Sequence, residues 1–213
     1  MGQRSNFAVV HMMAASQFAR LCYAVEEKNK GLELGSFFEE IRSYVVGTIL
    51  SSVASIESNI NEVFADLQDH LINHTNVETE ILKEIWPLIE QRPILEKYEF
   101  ALVLNKKRKM DKGVQQYNFV NILIKVRNAL VHFKPEWHDA QQEHNKIGKQ
   151  LQGKFEMSPF LDSNNPIFPL RCMTHGFADW AIRSCLDFAE WFAKESEFPN
   201  RYVQFLNRMN TKP

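Results

Sequence analysis

The sequence predicts an all-α protein, a bundle of about five to eight helices with an up-down core. Apolar residues recur at the three- and four-residue spacing of helices along nearly the whole chain, and the alternation typical of strands is scarce. Only 8 Gly and 8 Pro interrupt 213 residues, which also disfavours a β-rich fold. With 45% hydrophobic and 24% charged residues, the composition is that of a globular protein, and we expect one domain over residues 1–213.

The first half of the chain predicts two long helices. The first covers about residues 7–27 and ends in a glycine-containing turn over residues 29–35. A capping-box pattern at residues 36–39 predicts the start of a short helix. A long helix follows over about residues 44–73, because its apolar side chains step by threes and fours.

The second half predicts several shorter helices and one further long helix. A capping box at residues 75–78 opens a helix that ends before Pro87, and Thr174 is placed to cap the last long helix. Before that helix, the proline-containing residues 153–173 predict a loop-rich insertion. The remaining predicted helices cover about residues 93–105, 114–133, 138–152 and 200–208.

Charge and cysteine content exclude several classes of protein. Lys and Arg number 25 against 26 Asp and Glu, and this balance excludes a histone-like binder that is basic overall. Three cysteines without a CxxC pair disfavour a disulfide framework or a zinc knuckle and favour a cytoplasmic location. No apolar run is long enough to cross a bilayer, so we expect no membrane partner.

Motifs for cofactors and metals are missing from the sequence. It contains no P-loop, GxGxxG or GxSxG pattern, so we expect no cofactor. His70 and His74 have the i, i+4 spacing of a metal pair, but no third ligand follows at a clear spacing, and we predict no metal site. His138, His144 and His175 are expected on the surface.

The predicted helix over residues 114–133 carries the most informative pattern. Apolar residues cover most of its circumference, which predicts a central position in the bundle. One narrow polar stripe remains, made of Asn121, Lys125, Asn128 and His132. Because unpaired buried polar groups are costly, this stripe either faces a cleft or a partner, or closes an internal hydrogen-bond network.

Arg127 interrupts the apolar part of the same helix, about 140° around the axis from His132. A guanidinium there needs a route to solvent or a carboxylate. The preceding long helix offers Glu57 in the middle of its apolar stripe, with Asn61 one turn later. We predict that Glu57 and Arg127 pair, or that they share a network with Asn61 and Asn128.

Residues 127–132 read Arg-Asn-Ala-Leu-Val-His, an R-N-x-x-x-H motif at the end of a late helix. This resembles the motif of the HEPN superfamily, whose members carry R-x(4–6)-H with a polar residue, often Asn, after the Arg. The wider stretches 95–98 and 127–137 look like an uncharacterised bacterial group of HEPN-like proteins. The resemblance covers residues 44–137 and the last long helix, and it implies a HEPN-like helical bundle.

The resemblance also implies a metal-independent endoribonuclease, of a toxin or phage-defence type, that cleaves RNA as a homodimer. It makes His132 the general acid or base at the ribose 2′-hydroxyl or the leaving oxygen, a task that suits an imidazole near neutral pH. Arg127 would hold the scissile phosphate, and Asn128 would orient His132. The implied product is a 2′,3′-cyclic phosphate, and family analogy adds a nucleotidyltransferase-type antitoxin as a partner.

Two other interpretations fit the same residues. HEPN-like domains also occur as non-catalytic modules that bind RNA, nucleotides or proteins, and a purely structural helical domain would use the motif only for internal contacts. Because the net charge is low, RNA affinity has to come from a cleft and from local basic side chains. The predicted RNA-binding residues are Lys106, Lys107, Arg108, Lys109 and Lys125, although a solvated loop is the simpler explanation of the first four.

Overall fold

The computed structural model describes residues 4–69, 79–106, 108–137 and 142–213. Within these residues the chain forms seven α-helices, a short helical turn, a 3-10 helix and no strand, so the all-α prediction is confirmed. No helix in these ranges is long and apolar enough to cross a lipid bilayer. The helices are α1 (Ala8–Lys28), α2 (Phe37–Gln68), α3 (Thr79–Ile89), α4 (Ile94–Lys106), α5 (Gln115–Val131), α6 (Glu143–Leu151) and α7 (His175–Ser196), with the helical turn at Ile167–Arg171 and the 3-10 helix at Val203–Arg208.

α1 and α2 form a long antiparallel hairpin. Near the start of α1, the carbonyl oxygen of Ala8 accepts a 2.5 Å hydrogen bond from Ser55 Oγ, and further along Ala15 O accepts one of 3.4 Å from Thr48 Oγ1. Increasing residue numbers in α1 therefore meet decreasing numbers in α2. The Glu62 carboxylate accepts from two backbone N–H groups at the start of α1, where a negative charge is favourable to the helix dipole.

α2 begins earlier than the sequence predicted. The capping box at residues 36–39 is not formed, because Ser36 makes no side-chain cap and its backbone is already helical at φ −58° and ψ −24°. The predicted short helix and the predicted helix over residues 44–73 are therefore parts of one helix of 32 residues, which is about 48 Å long. The capping box at residues 75–78 lies outside the described residues.

α2, and not α5, occupies the centre of the bundle. The helices α1, α3, α4, α5 and α7 all pack against α2, and 15 of its residues are buried. In α5 only Val120, Leu123 and Val126 are buried, so the prediction of a central α5 is wrong. The other apolar residues of α5 are half-buried or exposed, because its neighbours cover only part of its surface.

Two prolines stand near the ends of helices. α3 continues through Pro87 to Ile89, whereas the sequence predicted an end before this proline. Pro87 stands in the last turn, where its missing N–H removes one hydrogen bond and no further turn follows. α4 begins at Ile94, directly after Pro93 and within one residue of the predicted start.

The C-terminal third packs α6, an irregular stretch and α7 against the same core. Residues 153–173 contain no helix except the turn Ile167–Arg171, which agrees with the predicted loop-rich insertion. Thr174 caps α7 as predicted, since its Oγ1 accepts from the Phe177 N–H at 3.1 Å. The predicted tail helix is the short 3-10 helix, and Tyr202 before it joins the core through a 2.9 Å hydrogen bond between its hydroxyl and Ser55 Oγ.

Two histidines predicted on the surface are buried instead. His144 is 5% exposed and His175 is 7% exposed. The His144 ring lies against the rings of Phe133 and Phe168, at centroid distances of 5.1 Å and 5.3 Å. Segments distant in sequence cover both imidazoles, and the local polarity of a helix does not reveal such contacts. His138 lies outside the described residues.

Candidate functional site at the end of α5

The R-N-x-x-x-H motif lies at the C-terminal end of α5. The helix ends at Val131, and His132 is the first residue beyond it, with φ −106° and ψ 40° and its N–H donating to the Asn128 carbonyl at 2.9 Å. Asn128 and His132 are exposed, and so is Lys125 one turn earlier. The predicted polar stripe therefore faces solvent at this end of the helix, where a ligand or a partner can reach it.

Arg127 reaches from the same helix toward α2. Its Nη2 lies 3.7 Å from Oε2 of Glu57, so the predicted contact between these two residues is present. The expectation that the pair is buried is wrong, because 28% of the Arg127 side chain and 40% of the Glu57 side chain are exposed. Water screens such a pair, and its expected contribution to the free energy of unfolding is less than about 1 kcal/mol.

The guanidinium of Arg127 is only loosely held. At 3.7 Å the contact with Glu57 is an ion pair without a hydrogen bond, and among the described residues Arg127 Nε has no hydrogen-bond partner. Arg201 shows the contrast, because its Nη2 donates a hydrogen bond to the buried carboxylate of Asp66. Because Nε is buried, an anion can reach Arg127 only through the exposed 28% of its side chain, where the described residues supply the ion pair with Glu57 and no hydrogen bond.

Asn61 does not join the Glu57–Arg127 pair. Its Oδ1 accepts a 3.0 Å hydrogen bond from Nζ of Lys97 on α4, and Lys97 is 3% exposed. A buried ammonium needs an acceptor, and Asn61 is the residue that supplies one. In the part of the chain that the structure describes, no hydrogen bond links Asn61 or Asn128 to the ion pair, so the wider network predicted from the sequence is wrong.

The basic loop before α5 lies at the other end of that helix from the motif. α5 has 17 residues, which places the loop about 25 Å from His132. Arg108 pairs with the carboxylate of Glu195 and donates to its carbonyl at 3.2 Å, whereas Lys109 is exposed. Lys106 is the last residue of α4, and Lys107 lies outside the described residues. Of the predicted RNA-binding residues that the structure describes, only Lys125 shares a surface with the motif.

The residues directly after the motif form a feature that sequence reasoning missed. Residues 133–137, which we call the post-motif segment, leave α5 without regular structure. The ring of Phe133 stacks on the ring of His144 at an interplanar angle of 23°, and the Glu136 carboxylate accepts from two N–H groups at the start of α6, those of Glu143 and His144. At the end of the segment, Trp137 is 84% exposed.

Two groups with shifted pKa values lie away from the motif, in a cleft of about 690 Å³ between α1 and α7. Burial raises the pKa of Glu26 to about 7, and burial lowers the pKa of His175.

Within the described ranges, no group of three or more His, Cys, Asp or Glu residues is arranged to hold a metal ion. His70 and His74, the pair singled out by spacing, lie outside those ranges.

Comparisons of the chain with family models, with curated proteins and with solved structures found no match. The resemblance to the HEPN superfamily thus depends on the motif and its sequence context alone. A function is therefore inferred from the side chains at the end of α5.

Proposed function

We propose that this chain is a metal-independent endoribonuclease of the HEPN type, with its active site at the end of α5. The observation that carries the proposal is that an exposed imidazole, His132, follows by five residues a partly exposed guanidinium, Arg127, which the described residues hold only through the 3.7 Å ion pair with Glu57. Exposed Asn128 lies one turn before His132 on the same helix face. A buried and satisfied His132 would instead have favoured a structural role.

The proposed reaction is an internal transesterification of RNA. His132 takes the proton of a ribose 2′-hydroxyl, and the 2′ oxygen attacks the adjacent phosphorus. The new 2′-O–P bond forms as the P–O5′ bond breaks, and the 5′ oxygen leaves with a proton from an imidazolium or from water. Arg127 stabilises the charge that develops on the phosphoryl oxygens, and Asn128 orients the imidazole. The products are a 2′,3′-cyclic phosphate and a 5′-hydroxyl.

The proposed active site needs two copies of the chain. Arg127 and His132 diverge by about 140° around α5, so the motif of a second copy is expected to complete the set of groups around one phosphate. Val131 is 52% exposed and Phe133 is 43% exposed, and these side chains offer apolar surface for a contact between copies. By family analogy alone, a nucleotidyltransferase-type antitoxin is a further candidate partner.

A second function is favoured by one specific contact. The ion pair with Glu57 explains Arg127 without catalysis, as in a non-catalytic HEPN-like module that binds RNA, a nucleotide or a protein. Such a module would still use the exposed surface around His132 for its ligand. The two functions differ in whether RNA is cut.

The deciding experiment incubates purified protein with mixed RNA in EDTA and maps the ends of any fragments. We expect fragments that carry 2′,3′-cyclic phosphate and 5′-hydroxyl ends, and loss of cleavage in His132→Ala. The matched controls are His11→Ala, a partly exposed histidine on α1, and Arg42→Ala beside Arg127→Ala, since Arg42 pairs with Glu39 near the start of α2. Each control variant should retain the activity of the parent chain.

Cleavage that persists in His132→Ala rejects the catalytic assignment. RNA binding without cleavage in the parent chain supports the binding module instead. Activity that appears only when divalent metal is added in excess of the EDTA contradicts the proposed chemistry. EDTA in the standard reactions excludes contaminating metal-dependent nucleases.

A further inference from the structure

Trp137 is the most exposed large apolar side chain in the described part of the molecule, at 84% exposure. It ends the post-motif segment, five residues after His132. Five residues of extended chain span at most about 18 Å, so one short oligomeric ligand can contact both side chains. An indole ring exposed to water is unfavourable, and the described residues of one copy do not cover it.

Two contacts fix the backbone that presents Trp137. Stacking of Phe133 on His144 secures the start of the post-motif segment, and the Glu136 carboxylate secures its end at α6. His144 itself is buried, so the anchor belongs to the core of the bundle. An aromatic side chain on a fixed backbone loses little conformational entropy when a ligand stacks on it.

The charges around Trp137 favour a polyanion. Lys125 and Lys134 are exposed. Of the described carboxylates near this segment, Glu136 is engaged with the start of α6, and Glu143 pairs with Lys146. Exposed Lys134 lies three residues before exposed Trp137. Proteins bind single-stranded nucleic acid with exposed aromatic rings near basic side chains, since bases stack on the ring and phosphates contact the ammonium groups.

We propose that the post-motif segment is the subsite for single-stranded RNA, with Trp137 stacking on a base close to the phosphate at His132 and Lys134 contacting a neighbouring phosphate. The inference rests on the proposed function and names its substrate class. Duplex RNA is excluded as the preferred ligand, because its bases already stack on one another and do not reach a side chain.

Binding is measured with the full chain carrying His132→Ala, so that no RNA is consumed. The probe is a fluorescently labelled single-stranded RNA of mixed sequence, compared with the duplex of the same sequence. Trp137→Ala should raise the Kd for the single strand about 10-fold or more, whereas Trp137→Phe should keep most of the affinity. Trp191→Phe, a partly buried tryptophan on α7, is the matched control and should change nothing.

Lys134→Ala tests the phosphate contact separately. It should weaken binding of every single-stranded sequence alike and lower the slope of log Kd against log salt by about one. An unchanged slope contradicts the role of Lys134. The side chain is exposed, so the variant should melt at the temperature of the parent.

An absence of single-strand binding, or an equal Kd in Trp137→Ala, overturns the inference. So does a Trp137→Ala chain that loses its dimer in sedimentation but keeps its RNA affinity, because Trp137 is then a contact between copies. If dimer and affinity are both lost, crosslinking of 4-thiouridine RNA to the Trp137 peptide decides: a crosslink supports the subsite and its absence overturns it. If the single strand binds through Trp137 but the parent chain cuts no RNA, the subsite is supported and the proposed ribonuclease activity is rejected.

Discussion

Replacing Glu26 by Gln should change the pH dependence of stability in a way that the structure allows to be calculated. Glu26 lies in the cleft between α1 and α7, where its Oε1 accepts a 2.7 Å hydrogen bond from the His175 backbone N–H. Burial, and next the charge of Glu27, raise the pKa of the carboxyl from 4.5 to about 7. The folded protein therefore keeps this proton over a pH range in which the unfolded chain has lost it.

The sign follows from the raised value. A carboxyl whose folded pKa lies above its unfolded pKa adds stability at low pH, and that stability is lost as the pH rises from 4.5 through 7. Each pKa unit corresponds to about 1.4 kcal/mol, so the full effect is about 3 kcal/mol, and most of it falls between pH 5 and pH 8. His175 works in the opposite direction, because burial lowers its pKa.

Glu26→Gln separates the pH effect of Glu26 on stability from that of His175, because the amide is neutral at every pH and can still accept the hydrogen bond from the His175 backbone N–H. The free energy of unfolding, measured by urea titration with tryptophan fluorescence, should exceed that of the parent by roughly 2 to 3 kcal/mol more at pH 8 than at pH 5. Glu33→Gln is the control, since its side chain is exposed in the turn between α1 and α2. A difference between Glu26→Gln and the parent that is the same at both pH values refutes this reasoning.

Two further predictions concern stability and use the same urea titration. Arg127→Ala should cost less than about 1 kcal/mol, because its pair with Glu57 is partly exposed, whereas Arg201→Ala should cost roughly 2 kcal/mol, because it removes one of the two arginines that pair with the Asp66 carboxylate, 7% exposed, and leaves only Arg4. Equal losses in the two variants would contradict the ranking. Thr174→Ala should cost about 1 kcal/mol by removing the cap of α7, and Thr174→Ser should restore most of it. A Ser variant as weak as the Ala variant would show that the hydroxyl is not what matters.

The helices were predictable to within a few residues wherever the signal is local. Thr174 caps α7 through its own side chain, and Pro93 directly precedes α4, so sequence and structure agree there. The two failures at helix ends, Ser36 and Pro87, have one cause. A capping residue or a proline favours a helix end at its own position. At Ser36, packing along the 32 residues of α2 outweighs this local preference. At Pro87, the position in the last turn of α3 makes the proline tolerable.

The candidate site was predictable only in part. Charged residues in the middle of apolar stripes indicated that Glu57 and Arg127 meet, and they do. The sequence does not show how much of the Glu57–Arg127 pair is exposed to solvent. It also does not show that Asn61 Oδ1 accepts a hydrogen bond from Lys97 instead of joining that pair. Such facts depend on where α4 lies against α2, and helical periodicity does not determine that placement.

The wrong prediction of a central α5 has a physical meaning of its own. A helix that is apolar on most of its circumference but buried only at Val120, Leu123 and Val126 leaves apolar surface that its own chain does not cover. The apolar residues of α2, in contrast, are covered by five neighbouring helices. Uncovered apolar surface is unfavourable in water unless something binds to it, and on α5 it lies beside exposed His132. The many apolar residues of α5 led to the wrong prediction of a central helix. They indicate instead that this end of the helix binds a partner or a ligand.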